Sequence, residues 1–262
     1  MYSSPMNAGR RVNKWVTLAV ASIGVLVAWF SQRDAGRSPP NVQADSGDRP
    51  APKSAGASFD FYLMAMTAHS AFCADNAGRR ECSGGNHRPL VIHGLWPERM
   101  EPRTYPHDCP VAALDLDPAL AIELADMMPG VADGLDKHEW RTHGGCSGLD
   151  DDDYYRHALE LARRVDSALG ATLTTRAGRE VTPGELRGIA DLVSPGLGRT
   201  LTFHCRTLRD APSRRPYLIE VRQCVDNDGP GGAPGTALAC AVVKRRDQGC
   251  GDSFLIAGEG VR

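Results

Sequence analysis

The stretch VIHGLWPE, Val91 to Glu98, sets a histidine inside an apolar, β-prone run. Val91, Ile92 and Leu95 suit a pleated, buried surface, and Trp96-Pro97 reads as the turn that follows a strand ending at Gly94. Working outward, FDFYLMAM (Phe59 to Met66) and TLTFHC (Thr200 to Cys205) are runs of the same kind, and YLIEVRQC from Tyr217 alternates as a half-exposed strand does. Helical segments lie between them. DPALAIELADMMPG offers Asp117 as N-cap, Pro118 at the first helical position and Pro129-Gly130 as the stop. DDDDYYRHALELARRVDSALG has acids in its first turn, where the helix dipole favours them, and an apolar face of Tyr155, Leu159, Ala162, Val165 and Leu169. TPGELRGIADLV opens with a capping box, Thr182 to Glu185. Strands and helices interleave irregularly and hairpin-like strands come last. The predicted class is α+β, a central antiparallel sheet with packed helices, and not a doubly wound fold.

A second stretch, HEWRTHGGC (His138 to Cys146), gathers two histidines, a carboxylate and a cysteine. It misses the zinc-protease pattern H-E-x-x-H by one residue, and the spacing matters. Side chains turn about 100° per helical position, so i and i+4 lie about 40° apart, but His138 and His143, at i and i+5, lie about 140° apart. Such a pair does not readily chelate one ion from a regular helix. Glu139 and His143 do share a face, with Thr142 beside them. A carboxylate against an imidazole suits proton transfer, although the same pair on a helix is commonly a solvated ion pair. His93, taken alone, is the kind of strand histidine that more often ends as a hydrogen-bonded core residue.

The N-terminal part of the 262-residue chain has a different character. Arg10, Arg11 and Lys14 precede the uncharged run WVTLAVASIGVLVAWF, Trp15 to Phe30, which is the layout of an export signal. Residues 1–30 are expected to be a signal peptide or an uncleaved membrane anchor, since Trp29 and Phe30 occupy the place of a small-residue cleavage site. Residues 31–58 are Ser, Pro, Gly, Ala, Asp and Arg with little to bury, a disordered linker. Residues 59–262 remain as one domain. It holds all eight cysteines, none in a C-x-x-C pair, which points to disulfides in an oxidising compartment, periplasmic or extracellular. Beyond residue 57 the chain carries 23 Lys+Arg against 29 Asp+Glu, a formal −6, and all eight histidines. Binders of long nucleic acid are normally basic, so this domain needs local cations, a short contact or acid pH to handle phosphates.

VIHGLWPE, followed some forty residues later by HEWRTHGGC, resembles the two signature segments of the ribonuclease T2 family. FDFYLMAMTAHSAFC is similar to that family's opening strand and first cysteine, and YLIEVRQCVD to its late strand. The resemblance implies metal-independent endonucleolytic cleavage of single-stranded RNA through a 2′,3′-cyclic phosphate, without a cofactor. The 2′-OH nucleophile excludes DNA. By motif position, His143 would be the base, His93 the acid and His138 a phosphate ligand, with Glu139 supporting charge and orientation. Trp96 would pack on ribose or base, and Glu98 and Tyr105 would belong to a base pocket. The family's disulfide order implies Cys73–Cys82, Cys109–Cys146, Cys205–Cys250 and Cys224–Cys240. A monomer is expected. The sequence departs from the family at Thr142, where a lysine is common, and at Ala68 and Ser70, where an aromatic and a proline are usual. Slower catalysis, altered base preference and an inactive relative are all compatible with these changes. Two rival readings stand beside the enzyme: a non-catalytic RNA- or protein-binding relative on the same fold, and a zinc hydrolase using His138 and His143.

Overall fold

Strand β1 (Phe61–Ala68) has both edges occupied, by β2 (Leu90–Glu98) and β5 (Tyr217–Asp226), each antiparallel to it. The structure, a computed structural model, describes residues 56–83, 88–101 and 104–261. The expected signal or anchor and the linker up to residue 55 lie outside the described residues. The last residues of the expected linker already belong to the fold: the Ala57 amide donates to the Cys146 carbonyl at 3.0 Å and Arg99 donates to the Ser58 carbonyl at 3.0 Å. Among the described residues no helix is long and apolar enough to cross a membrane.

β4 (Leu201–Arg206) pairs antiparallel with β5, and the two-residue strands β3 (Glu180–Val181) and β6 (Phe254–Leu255) pair with each other. The expected antiparallel sheet is mixed at one point, because β6 meets β5 in parallel through Leu255 and Tyr217. β1 stops pairing with β5 at Glu220, which leaves the Tyr217 edge open for β6.

Alternation along β1 divides the molecule. Tyr62, Met64 and Met66 enter the main core on one face, while Phe61 and Leu63 join Cys224, Cys240 and Val243 on the other. Over the first face lies α4 (Asp151–Thr175), whose predicted apolar residues Tyr155, Leu159, Ala162, Val165 and Leu169 are all buried. Burial of the leucines and the valine among them stabilises by roughly 1.5–3 kcal/mol each. α2 (Pro118–Met127) and α5 (Pro183–Val193) start at the predicted caps, with Asp117 accepting from Ala119 and Leu120 and Thr182 accepting from Glu185. Only half of the capping box forms, since Glu185 turns to Arg176 at 3.0 Å instead of back to Thr182. α1 (His69–Asp75) follows β1 directly and has no counterpart in the sequence reading; it buries only His69 and Ala71, too few for a helical period to show.

Two further differences fall on the signature segments. β2 does not end at Gly94 but runs to Glu98, and Pro97 is tolerated because β2 is an edge strand. Its pairing also skips one residue: Ala65 faces Gly94 and Met66 faces Ile92, so His93 is the extra residue of a β-bulge. In the second segment α3 (Leu135–Thr142) stops one residue before His143, whose amide still bonds the Glu139 carbonyl at 2.8 Å. The chain then passes through Gly144 and Gly145, where a Cβ would collide with the Trp140 ring and with Cys109 and Val111, respectively. The cysteines are joined Cys73–Cys82, Cys109–Cys146, Cys205–Cys250 and Cys224–Cys240, the order the resemblance implies.

Adjacent tyrosines of α4 bind β2 and α3, Tyr154 donating to the Leu95 carbonyl and Tyr155 to the Asp136 carbonyl, each at 2.5 Å. Tyr154→Phe should therefore lower unfolding free energy by about 1–3 kcal/mol, the worth of a buried hydrogen bond whose partner is left unpaired. Urea denaturation with an unchanged m-value would report it.

Candidate active site

β2 and α3 meet at Glu139, whose side chain is only 3 % exposed. The Trp96 indole N–H donates to its Oε2 at 2.8 Å, its Oε1 lies 3.8 Å from His93 Nε2, and His143 Nε2 is 4.0 Å from Oε2. Gly94 makes this approach possible, since a Cβ there would collide with the Glu139 carboxylate and the Trp96 ring. Trp96 stands edge-on to His93, ring centres 5.0 Å apart, and tilted to His143 at 5.5 Å. In a regular strand, residues three apart point to opposite faces; the bulge at His93 brings both rings to one side.

The two histidines have opposite acid–base characters. Burial of His143 disfavours its charged form, positive charge at His138 and His93 adds to the effect, and its pKa falls from 6.5 to about 4. Its Nδ1 is buried with no hydrogen-bond partner among the described residues, a position in which a proton would go unsatisfied. Burial also works against charge on His93, but the Glu220 carboxylate on its Nδ1, at 2.7 Å, and the charge of Glu139 outweigh it, so its pKa is raised. Burial raises the Glu139 pKa, opposed by His93 and the Trp96 hydrogen bond.

A cleft of about 620 Å³ opens beside His93 and is lined also by His204, Arg206, Glu220, Arg222 and His138, the last of them exposed. Tyr105 is exposed, its ring 6.1 Å from that of His143. Its loop is fixed to the turn after α3 by the Cys109–Cys146 bridge and to the end of α3 by the Asp108 amide, which bonds the Thr142 carbonyl at 2.8 Å. Glu98 is committed elsewhere: Arg245 holds its Oε2 at 2.8 Å and also bonds the Arg99 carbonyl. Ala68 and Ser70 line a separate pocket of about 250 Å³ with Leu218 and Ile256, while Thr67 and Phe72 line the cleft by His93. So the structure brings His93, Trp96, His138, Glu139, His143 and Tyr105 together, ties Glu98 to Arg245, and adds Glu220, Arg222 and His204. The sequence signal for these three was only their place in two β-prone runs, one of them alternating. Among the described residues, the cluster of three metal-type donors is His69, Cys73 and Cys82, and its two sulfurs are joined in a disulfide.

The sequence matches the profile of the ribonuclease T2 family over residues 59–231. The chain belongs to that family. A ribonuclease of Aeromonas hydrophila is 33% identical over 245 residues, covering 90% of this chain and 96% of that protein. The intracellular ribonuclease LX of Solanum lycopersicum is 28% identical, covering 64% of this chain and 74% of its own. Among solved structures, a variant of RNase MC1 in complex with 5′-UMP superposes with a TM-score of 0.58 at 24% identity, over 76% of this chain and 99% of that one.

The depressed histidine pKa values have a stability consequence. His143 and His204 both titrate near 4 in the fold against 6.5 ordinarily, each chiefly through burial. The unfolded chain therefore binds more protons between those values; the stabilisation is complete above pH 6.5 and is lost as pH falls towards 4. Each should contribute about 1.4 kcal/mol per pH unit within that window. Urea unfolding at a series of pH values should show the decline flattened by that amount in His143→Asn and again in His204→Asn.

Proposed function

We propose that this endoribonuclease cleaves single-stranded RNA by transphosphorylation, with His143 as base and His93 as acid. The observation that carries the assignment is the opposite displacement of the two imidazoles' proton affinities at one carboxylate. His143, a free base under mildly acid conditions, takes the proton of the ribose 2′-OH. That oxygen bonds to phosphorus, the bond from phosphorus to the 5′ oxygen breaks, and His93 delivers its Nε2 proton to the leaving oxygen. The product end is a 2′,3′-cyclic phosphate.

His138, exposed on the cleft, binds the phosphate; Glu139 orients both imidazoles and stabilises their charge; Trp96 packs on ribose or base. Tyr105 faces a base from its exposed loop. Glu98 enters this reading by motif position alone, its carboxylate being held by Arg245. DNA lacks the nucleophile and is not a substrate. No metal enters these steps. The four disulfides fit an exported protein, and the basic flank of Trp15–Phe30 supports that segment as its export signal or tether. The enzyme works as a monomer in the periplasm or outside the cell.

The purified protein should cut RNA in excess EDTA and leave DNA intact; activity lost to chelation and restored by zinc would overturn the mechanism. His93→Ala and His143→Ala should each lower kcat by on the order of 10²–10⁴ while the fold, read by circular dichroism, is kept. The competent state has His143 free and His93 protonated. The kcat/KM profile should accordingly rise through the His143 pKa near 4 and fall through a His93 pKa above 6.5. A single limb, or a maximum above pH ~8, would contradict the assignment.

A further inference from the structure

Glu220 and Arg222 belong to neither signature segment, yet Glu220 hydrogen-bonds the acid and Arg222 holds Glu220. His93 on β2 and Glu220 on β5 are two strands apart, roughly 10 Å at the usual spacing, but the imidazole and carboxylate meet at 2.7 Å. The intervening strand permits it. Ala65 and Thr67 of β1 stand in register opposite Arg222 and Glu220, hence on the same face, with side chains small enough to be bridged. The bulge turns His93 towards them.

Arg222 Nε then donates to the second Glu220 oxygen at 2.5 Å, and its guanidinium lies 5.1 Å from the Trp96 ring centre. Glu220 is 9 % exposed, and a carboxylate so buried is costly unless both oxygens are partnered. Stability alone does not call for such a group, because replacing a buried ion pair with well-packed apolar residues is often neutral or stabilising.

We propose that Glu220 is the positioning residue of the acid His93, and that Arg222, which holds Glu220, is the phosphate-facing cation that α3 lacks at Thr142. The proposal rests on the reading of this site as one for RNA transphosphorylation. Glu220 keeps Nδ1–H in place, so the proton that leaves is the one on Nε2, facing Glu139 and the cleft. Arg222 is part of the cleft lining, where a phosphate beside His93 and His138 would meet it. The charged and titratable groups around His93 are Glu139, His138 and His143 from α3 and its end, Glu81 from the turn Arg80–Cys82, His204 from β4, and Glu220 and Arg222 from β5, with Arg79, Asp133 and Arg206 lining the same cleft.

The test follows His93 by NMR titration of its ring in the full-length protein, beside kcat/KM on single-stranded RNA against pH and salt. Glu220→Gln keeps a hydrogen-bond acceptor but removes the charge. It should lower the His93 pKa by about one unit or more and move the alkaline limb of kcat/KM down with it. Arg222→Met should move the His93 pKa the opposite way. It should also lower kcat/KM roughly tenfold and reduce the log–log salt slope by about one. A purely structural pair would slow both variants and shift neither titration. An unmoved His93 pKa in Glu220→Gln would overturn the positioning role, and an unchanged salt slope in Arg222→Met would overturn the phosphate role. If Glu220→Gln does not fold, the upward shift expected in Arg222→Met decides the positioning role. Wild-type protein that cleaves no RNA would sink the functional reading, whereas the titrations would still judge Glu220.

Discussion

A charged carboxylate out of water must be surrounded by partners, and the Glu139 side chain is the one around which this site is arranged. Its partners come from separate parts of the chain: Trp96 and His93 from β2, His143 from the end of its own helix. Satisfying it fixes where a strand and a helix may sit relative to each other. The rest of the architecture then works to keep them there. Gly94 leaves room for the carboxylate, the α4 tyrosines bind a carbonyl on β2 and one on α3, and the Cys109–Cys146 bridge ties the Tyr105 loop to the turn that follows α3.

The same arrangement explains how two chemically identical side chains come to differ in proton affinity. His143 sits where the chain leaves α3, enclosed, with one ring nitrogen that has no hydrogen-bond partner among the described residues. His93 is pushed out of the β2 ladder into the gap between two carboxylates. Geometry and proton affinity are therefore set by a single set of contacts, and a displacement of either element alters both.

Much of this was legible in the sequence, and the failures have physical causes. Helix caps are local chemistry, so Asp117 and Thr182 were readable where they stand. The long apolar stripe of α4 was readable because its period is sustained over 25 residues. Glu139 with His143 followed from helical spacing alone. The juxtaposition of His93 and Trp96 did not, because a bulge cancels the two-residue period on which strand reading depends. Glu220 was out of reach for a different reason: its contact with His93 crosses an entire strand, and only Ala65 and Thr67, inconspicuous by themselves, allow it. The place of Ala68 and Ser70, read only as departures from the family pattern, was not legible, because β1 passes directly into α1 and these residues turn towards a separate pocket. The parallel pairing of β6 is set by where β1 stops, which no local pattern encodes.

The pair of buried acids facing one imidazole has a thermodynamic corollary. With Glu139 and Glu220 both against His93, the unprotonated site holds negative charge where an anion would have to dock. Protons admit the anion, and by reciprocity the anion must retain the protons with the same coupling free energy. Docking and protonation are thus a single equilibrium written two ways. An anion entering this cleft takes up hydrogen ions from the surrounding medium, and its departure returns them, so occupancy can be followed in a weakly buffered solution without any label on either molecule.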